Sequence, residues 1–127
     1  MSKTQSDTQF GRKVVIDLGV KNIGAGNEIT VKLPQGAIIT AVALLTVVAF
    51  NSGTTATATI SDGTTKFADA VDVKSIGSET TANAPKHYAE GGTLTFSLAQ
   101  TGTAATAGRA LAIAEYVVVG GGDEIYG

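Results

Sequence analysis

The sequence predicts an all-β protein, an antiparallel β-sandwich or jelly roll of about eight strands with at most one short helical turn. Three observations carry that expectation. Short stretches alternate apolar and polar residues, the repeat of a half-buried strand. Turn-forming clusters such as NSGT, SDGTT and EGG punctuate them at short intervals. Outside residues 66–78, no segment carries the period of an amphipathic helix.

In chain order, KVVIDL (13–18) sets Val14, Ile16 and Leu18 against Val15 and Asp17, and EITVKL (28–33) sets Ile29, Val31 and Leu33 against Thr30 and Lys32. Both predict half-exposed strands. The stretch AIITAVALLTVVAF (37–50) has no charge and raises the question of a membrane segment. It is shorter than the roughly 20 apolar residues a spanning helix needs, and Thr40 and Thr46 interrupt it. Half of it is β-branched and it lies between the turn signals LPQG and NSG, so a strand is expected. Straight, it would run roughly 46 Å, longer than usual strands, so a bend or bulge is expected near Ala43 to Leu45, as where a strand crosses between sheets. Its bulkier side, with Ile38, Thr40, Val42, Leu44, Thr46, Val48 and Phe50, is expected to fill the sandwich. Its small side, with Ala37, Ala41, Ala43 and Ala49, is expected to pack near residues 110–119 or another copy.

TATATIS (55–61) predicts a meander strand, with Ala56, Ala58 and Ile60 opposite Thr57 and Thr59. In KFADAVDVKSIGS (66–78), Phe67, Ala70, Val71 and Lys74 fit one helical face with Gly77 as its stop, so one helical turn is favoured over a strand. KHYA (86–89), TLTFSLA (93–99) and ALAIAEYVVV (110–119) complete the strands. The last splits Ala110, Ala112 and Ala114 from Leu111, Ile113, Val117 and Val119, the same asymmetry as 37–50, which makes the two candidate sheet neighbours.

The chain has 127 residues, the size of one domain. It is expected to divide into an N-terminal arm (1–12), a sandwich (13–119) and a C-terminal tail (120–127). A net charge of -2 gives no basic footprint for phosphate backbones, so nucleic acid is not an expected partner, and neither is a membrane. With no cysteine, disulfides, thiol catalysis and Cys-based zinc sites are excluded. MSKTQSDTQF lacks the apolar run of a secretion signal, so a product made and kept inside a cell is expected. Charged residues make up only 16% and small residues are abundant, a composition that suits a surface covered by another molecule.

Catalytic chemistry finds little support, and no enzyme and no cofactor are expected. His87 is the single histidine and sits beside Tyr88 in a strand, so a metal site would need carboxylates gathered around it. GAGNEI (24–29) lacks the third glycine and the strand–helix context of a dinucleotide loop and is expected to be a flexible turn. Asp62, Asp69 and Asp72 are too loosely spaced for a calcium loop, and Asp62 with Gly63 is a turn former. Asp69 and Asp72 would meet as a weak cation site only on a helix.

Surface contact is left. The triple glycine before Asp123, Glu124, Ile125 and Tyr126 has the form of a tethered peptide with two apolar anchors. Phe10, Arg12 and Lys13 at the other end are the candidate contacts of the arm. The segments LPQGAIIT, FNSGTTATATISDGTT, FADAVDVKSIGS and GGTLTFSLAQTGTAATAGRALAIAEYVVV resemble small structural proteins of tailed-phage virions, most of all the capsid decoration, or cement, type. The resemblance covers roughly residues 33–119, rests on turn and strand patterns, and supplies no catalytic residues. It implies a homodimer or homotrimer on the outer capsid surface of the virion that bridges neighbouring major capsid protein subunits. A head–tail joining or tail component, and a glycan-binding jelly-roll module, are the alternative expectations.

Overall fold

The computed structural model describes residues 12–80 and 86–118. They form nine strands, all paired antiparallel, in two sheets, an antiparallel β-sandwich. The strands are Arg12–Gly19 (β1), Ile29–Leu33 (β2), Ala37–Val48 (β3), Thr55–Ser61 (β4), Lys66–Asp72 (β5), Gly77–Thr80 (β6), Lys86–Tyr88 (β7), Gly92–Thr101 (β8) and Arg109–Val118 (β9). The first sheet runs β1-β9-β3-β6, with β7 also paired to β3; the second runs β2-β8-β4-β5. Among the described residues the helical content is one 3-10 turn, Val20–Asn22, after β1.

The long apolar stretch is β3, and it pairs with β9 as the shared asymmetry predicts. It stays within one sheet instead of crossing to the other, and its irregularities fall at Ile39/Ala41 and Thr46/Val48, not at Ala43 to Leu45. Thr40 occupies the first irregularity, where its hydroxyl donates to the Glu115 carbonyl at 3.1 Å. One extra residue shifts the alternation by one, so Ala37 and Ile39 point inward before it and Val42, Leu44 and Thr46 point inward after it.

The expectation that bulky sides fill the sandwich therefore holds for Val42, Leu44 and Phe50 but fails for Ile38 and Val48. On β9 the arrangement is reversed. Ala110, Ala112 and Ala114 are buried, while Leu111, Ile113 and Val117 lie on the outer side, half-buried. These alanines share the core with the bulky inward row of β8, Leu94, Phe96 and Leu98. A close-packed interior fills a fixed gap between sheets, so small residues on one central strand accommodate large ones on another.

The helical turn expected within 66–78 is absent; β5 and β6 occupy that segment. Register shifts between β4 and β5 bury the consecutive residues Phe67 and Ala68 and set Ala70 at φ 51, with its N–H donated to the Thr59 hydroxyl at 3.1 Å. Bulges break the two-residue period of the apolar residues, and the broken period imitates helical spacing.

The turns are held by short polar side chains, as their sequences predict. Asn51 accepts the N–H groups of Thr106 and Ala107 at 2.8 and 3.1 Å and so pins the small-residue loop between β8 and β9. Gly108 ends that loop at φ +156, and a Cβ there would lie 2.3 Å from the Phe50 ring. The GAGNEI segment is a turn, with Gly24 and Gly26 at positive φ and Asn27 Nδ2 donating to the Ile23 carbonyl at 2.8 Å.

Candidate interaction surface

Alternation leaves each sheet with one outward face, and the two differ in chemistry. On the β1-β9-β3 sheet, register places Val15, Ile113 and Ala43 in one row and Asp17, Leu111 and Leu45 in the next. Val15 is 57% exposed and Val48, near the end of β3, 45%. Ion pairs bound this apolar strip: Lys13 with Glu115 at 3.7 Å, and Asp17 with Arg109 at 2.9 Å. The second pair is bidentate in part, since Arg109 Nε and Nη2 donate to both Asp17 carboxylate oxygens. The Arg109 hydrogen bond holds the Asp17 carboxyl below its usual range, and the same bond raises the guanidinium.

On the other sheet most of the outward side chains carry hydroxyls. Thr55, Thr57, Thr59 and Ser61 on β4 face Thr101, Ala99, Ser97 and Thr95 on β8, with Thr30 and Lys32 of β2 beyond. Thr55 and Thr101 share a hydrogen bond of 2.6 Å, and Ser97 donates to the Thr59 carbonyl at 3.5 Å. Such a face is wetted without leaving bare hydrocarbon.

A polar knot ties the β4–β5 turn to β7 and thereby one sheet to the other. The Asp62 carboxylate, only 5% exposed, accepts from Lys86 Nζ and Tyr88 OH, both at 2.7 Å, and from the N–H groups of Thr64 and Thr65 at 2.8 and 2.6 Å. Burial by itself raises this carboxyl, and is the largest single influence; the four donors together outweigh it and hold the group well below the usual carboxylate range. Burial, reinforced by the Asp62 charge, pushes the Tyr88 phenol above its ordinary value. Asp62 is the turn former its DG sequence predicts. Its partners at 86 and 88 had no sequence signal, because they lie on a distant strand.

Of the contact residues named from sequence, Phe10, Asp123, Glu124, Ile125 and Tyr126 lie outside the described residues. Arg12 and Lys13 are exposed at the start of β1, opposite Tyr116 and Glu115. Asp69 and Asp72 are engaged separately, Asp69 with Lys66 at 3.4 Å and Asp72 with the Lys74 N–H at 2.9 Å, on a strand instead of a helix face. His87 is exposed on β7 opposite Ile38. Among the described residues no group of three or more His, Cys, Asp or Glu is placed to hold a metal ion, and no helix is long and apolar enough to cross a membrane. A cleft of about 210 Å³ opens between β5 and β6, lined in part by Leu44, Thr46, Val71 and Ile76. It is smaller than the roughly 300–1,000 Å³ of small-molecule pockets.

No protein-family model matches the sequence, and no curated protein matches it significantly. The fold does have a counterpart among solved structures. A chain of a structure described as "Cyanophage Pam1 capsid asymmetric unit" superposes with a TM-score of 0.69 at 16% sequence identity, covering 94% of this chain and 92% of that one. At that identity the likeness is one of fold, and it spans nearly the whole of both chains.

Proposed function

We propose that the protein is a structural component of a phage virion that decorates the outer capsid surface and stabilises the shell by bridging neighbouring major capsid subunits, with no catalytic role. The observation that carries this reading is the fold likeness, over nearly the full chain, to a chain in a phage capsid asymmetric unit. The two unlike outward faces support it. An apolar strip edged by ion pairs has the composition of a contact surface, whereas a threonine-rich face suits water.

Stabilisation then works by mass action. A sandwich that binds the assembled shell and not its free subunits adds its binding free energy to the shell. Repetition over a lattice, and a homodimeric or homotrimeric state, multiplies modest contacts into avidity. The arm, with Phe10, Arg12 and Lys13, and the tail, with Asp123, Glu124, Ile125 and Tyr126, are the proposed clamps on adjacent subunits. The test is occupancy on purified heads after deletion of residues 1–9 or of 120–127. The reading expects occupancy to fall in at least one; unchanged occupancy in both sinks the clamp. A low copy number in a ring at one vertex would instead identify a head–tail joining component.

A further inference from the structure

β1 lies at the rim of its sheet, paired with β9 on one side and, among the described residues, with no strand on the other. An open strand edge presents a row of unpaired N–H and C=O groups, which proteins usually blunt by shortening, bulging or proline. Both rims of the opposite sheet are blunted: β2 is only Ile29–Leu33, and β5 is broken by its register shifts and by the positive φ of Ala70. β1 is neither shortened, bulged nor interrupted by proline, since Arg12–Gly19 runs eight residues in unbroken register with β9, and the charges it carries, the remaining way to blunt an edge, are of both signs. Its outward side chains place a cation, Lys13, and an anion, Asp17, on either side of the exposed Val15.

We propose that β1 pairs antiparallel with β1 of a second copy about a two-fold axis at Val15, joining two five-stranded sheets into one. Charge selects the register. Centred on Val15, the pairing sets Lys13 opposite Asp17 of the second copy, Asp17 opposite its Lys13, and valine opposite valine. Centred on Lys13 it opposes two lysines, and centred on Asp17 two aspartates, both of which destabilise a strand pair. Centred on Val14 or Ile16 it leaves a charge opposite Val15. Only the Val15 centre satisfies every outward residue.

That centre also extends what each copy already makes. Glu115 and Lys13 of one copy would connect to Asp17 of the other and, diagonally, to its Arg109, a chain of ion pairs of alternating sign across the seam built on the existing 3.7 and 2.9 Å pairs. The Val15–Ile113–Ala43 row runs through the axis into its symmetry mate, so the two apolar strips become one field.

The pairing is tested in solution without particles, so its failure is separable from failure of the virion reading. The chain has no cysteine, so Val15→Cys introduces a single thiol. Mild oxidation is expected to give a disulfide-linked dimer, and Thr93→Cys on the hydroxyl face is expected to give none. In sedimentation, Lys13→Glu and Asp17→Lys are each expected to weaken self-association by on the order of tenfold, since two symmetric pairs become repulsive. An equimolar mixture of the two variants is expected to regain it. In the mixed dimer the carboxylate introduced at position 13 of one copy meets the ammonium introduced at position 17 of the other, and the remaining Asp17 meets the remaining Lys13. A fold defect would not be rescued by mixing. The proposal is overturned if the unaltered chain stays monomeric with Val15→Cys unlinked, if the variants associate as tightly as the original, or if Val15→Cys on heads links only to a different shell protein.

Discussion

The two sheets are built by the same alternation and yet present opposite chemistry outward. One turns Val15, Leu111, Ile113 and Leu45 away from the core; the other turns out Thr55, Thr57, Thr59, Thr93 and Thr95. Inside, the inequality runs the other way, with alanines on β9 and Leu94, Phe96 and Leu98 on β8. A strand has two sides, and large apolar residues on β9 that are not needed in the core are retained on the outside. Their retention there is what a contact surface requires and what a solvated face does not.

The sharpest way to break the comparison is from within. Phe96→Ala removes the largest side chain of the inward row on β8 and is expected to cost about 3–5 kcal/mol, read by denaturant unfolding. Asp62→Asn comes next. It removes the charge of the knot that holds the sheets together and leaves the half-buried Lys86 facing a neutral amide, a loss on the order of 3 kcal/mol.

Acid should act on the same knot. The folded-state pKa of Asp62 is depressed, so its stabilisation is fully present above the unfolded carboxylate value of about 4 and is lost as pH falls through the lower folded value. Thermal melts from pH 6 downward should therefore be flat for this contribution to about pH 4 and fall below it. The gap between the original chain and Asp62→Asn should narrow over the same range. A gap that stays constant to the lowest pH would contradict the ionised knot.

The outer faces are separated by a smaller effect. Ile113→Lys on the apolar strip is expected to change unfolding free energy by about 1 kcal/mol or less yet abolish binding to heads. Thr57→Lys on the hydroxyl face is expected to stay within about 0.5 kcal/mol and leave binding intact. Equal loss of binding from both would remove the distinction between the faces.

Much of this was legible in the sequence. The turns were, because Gly63, Gly91 and Gly102 adopt positive φ where DG, GG and TG sequences place them. The pairing of β3 with β9 was, from a shared small–large asymmetry. The segment 66–78 imitates a helix in sequence because register shifts there bury Phe67 and Ala68 together, and adjacent burial breaks the two-residue period on which strand recognition depends. The Asp62–Lys86–Tyr88 knot was illegible, since Lys86 and Tyr88 lie 24 and 26 residues from Asp62 and meet it only when the sheets stack.

By itself the sequence determined which residues share a side of the strands that run without a bulge, and where the chain turns, because both follow from local backbone geometry. Tertiary structure alone decided which side became the interior. Alternation defines two sets without choosing between them, and on β9 the choice of Ala110, Ala112 and Ala114 matches the volume of Leu94, Phe96 and Leu98 in the opposite sheet. On β3 a single extra residue at Thr40 reversed the choice midway, through a hydrogen bond to Glu115 on a strand 75 residues away.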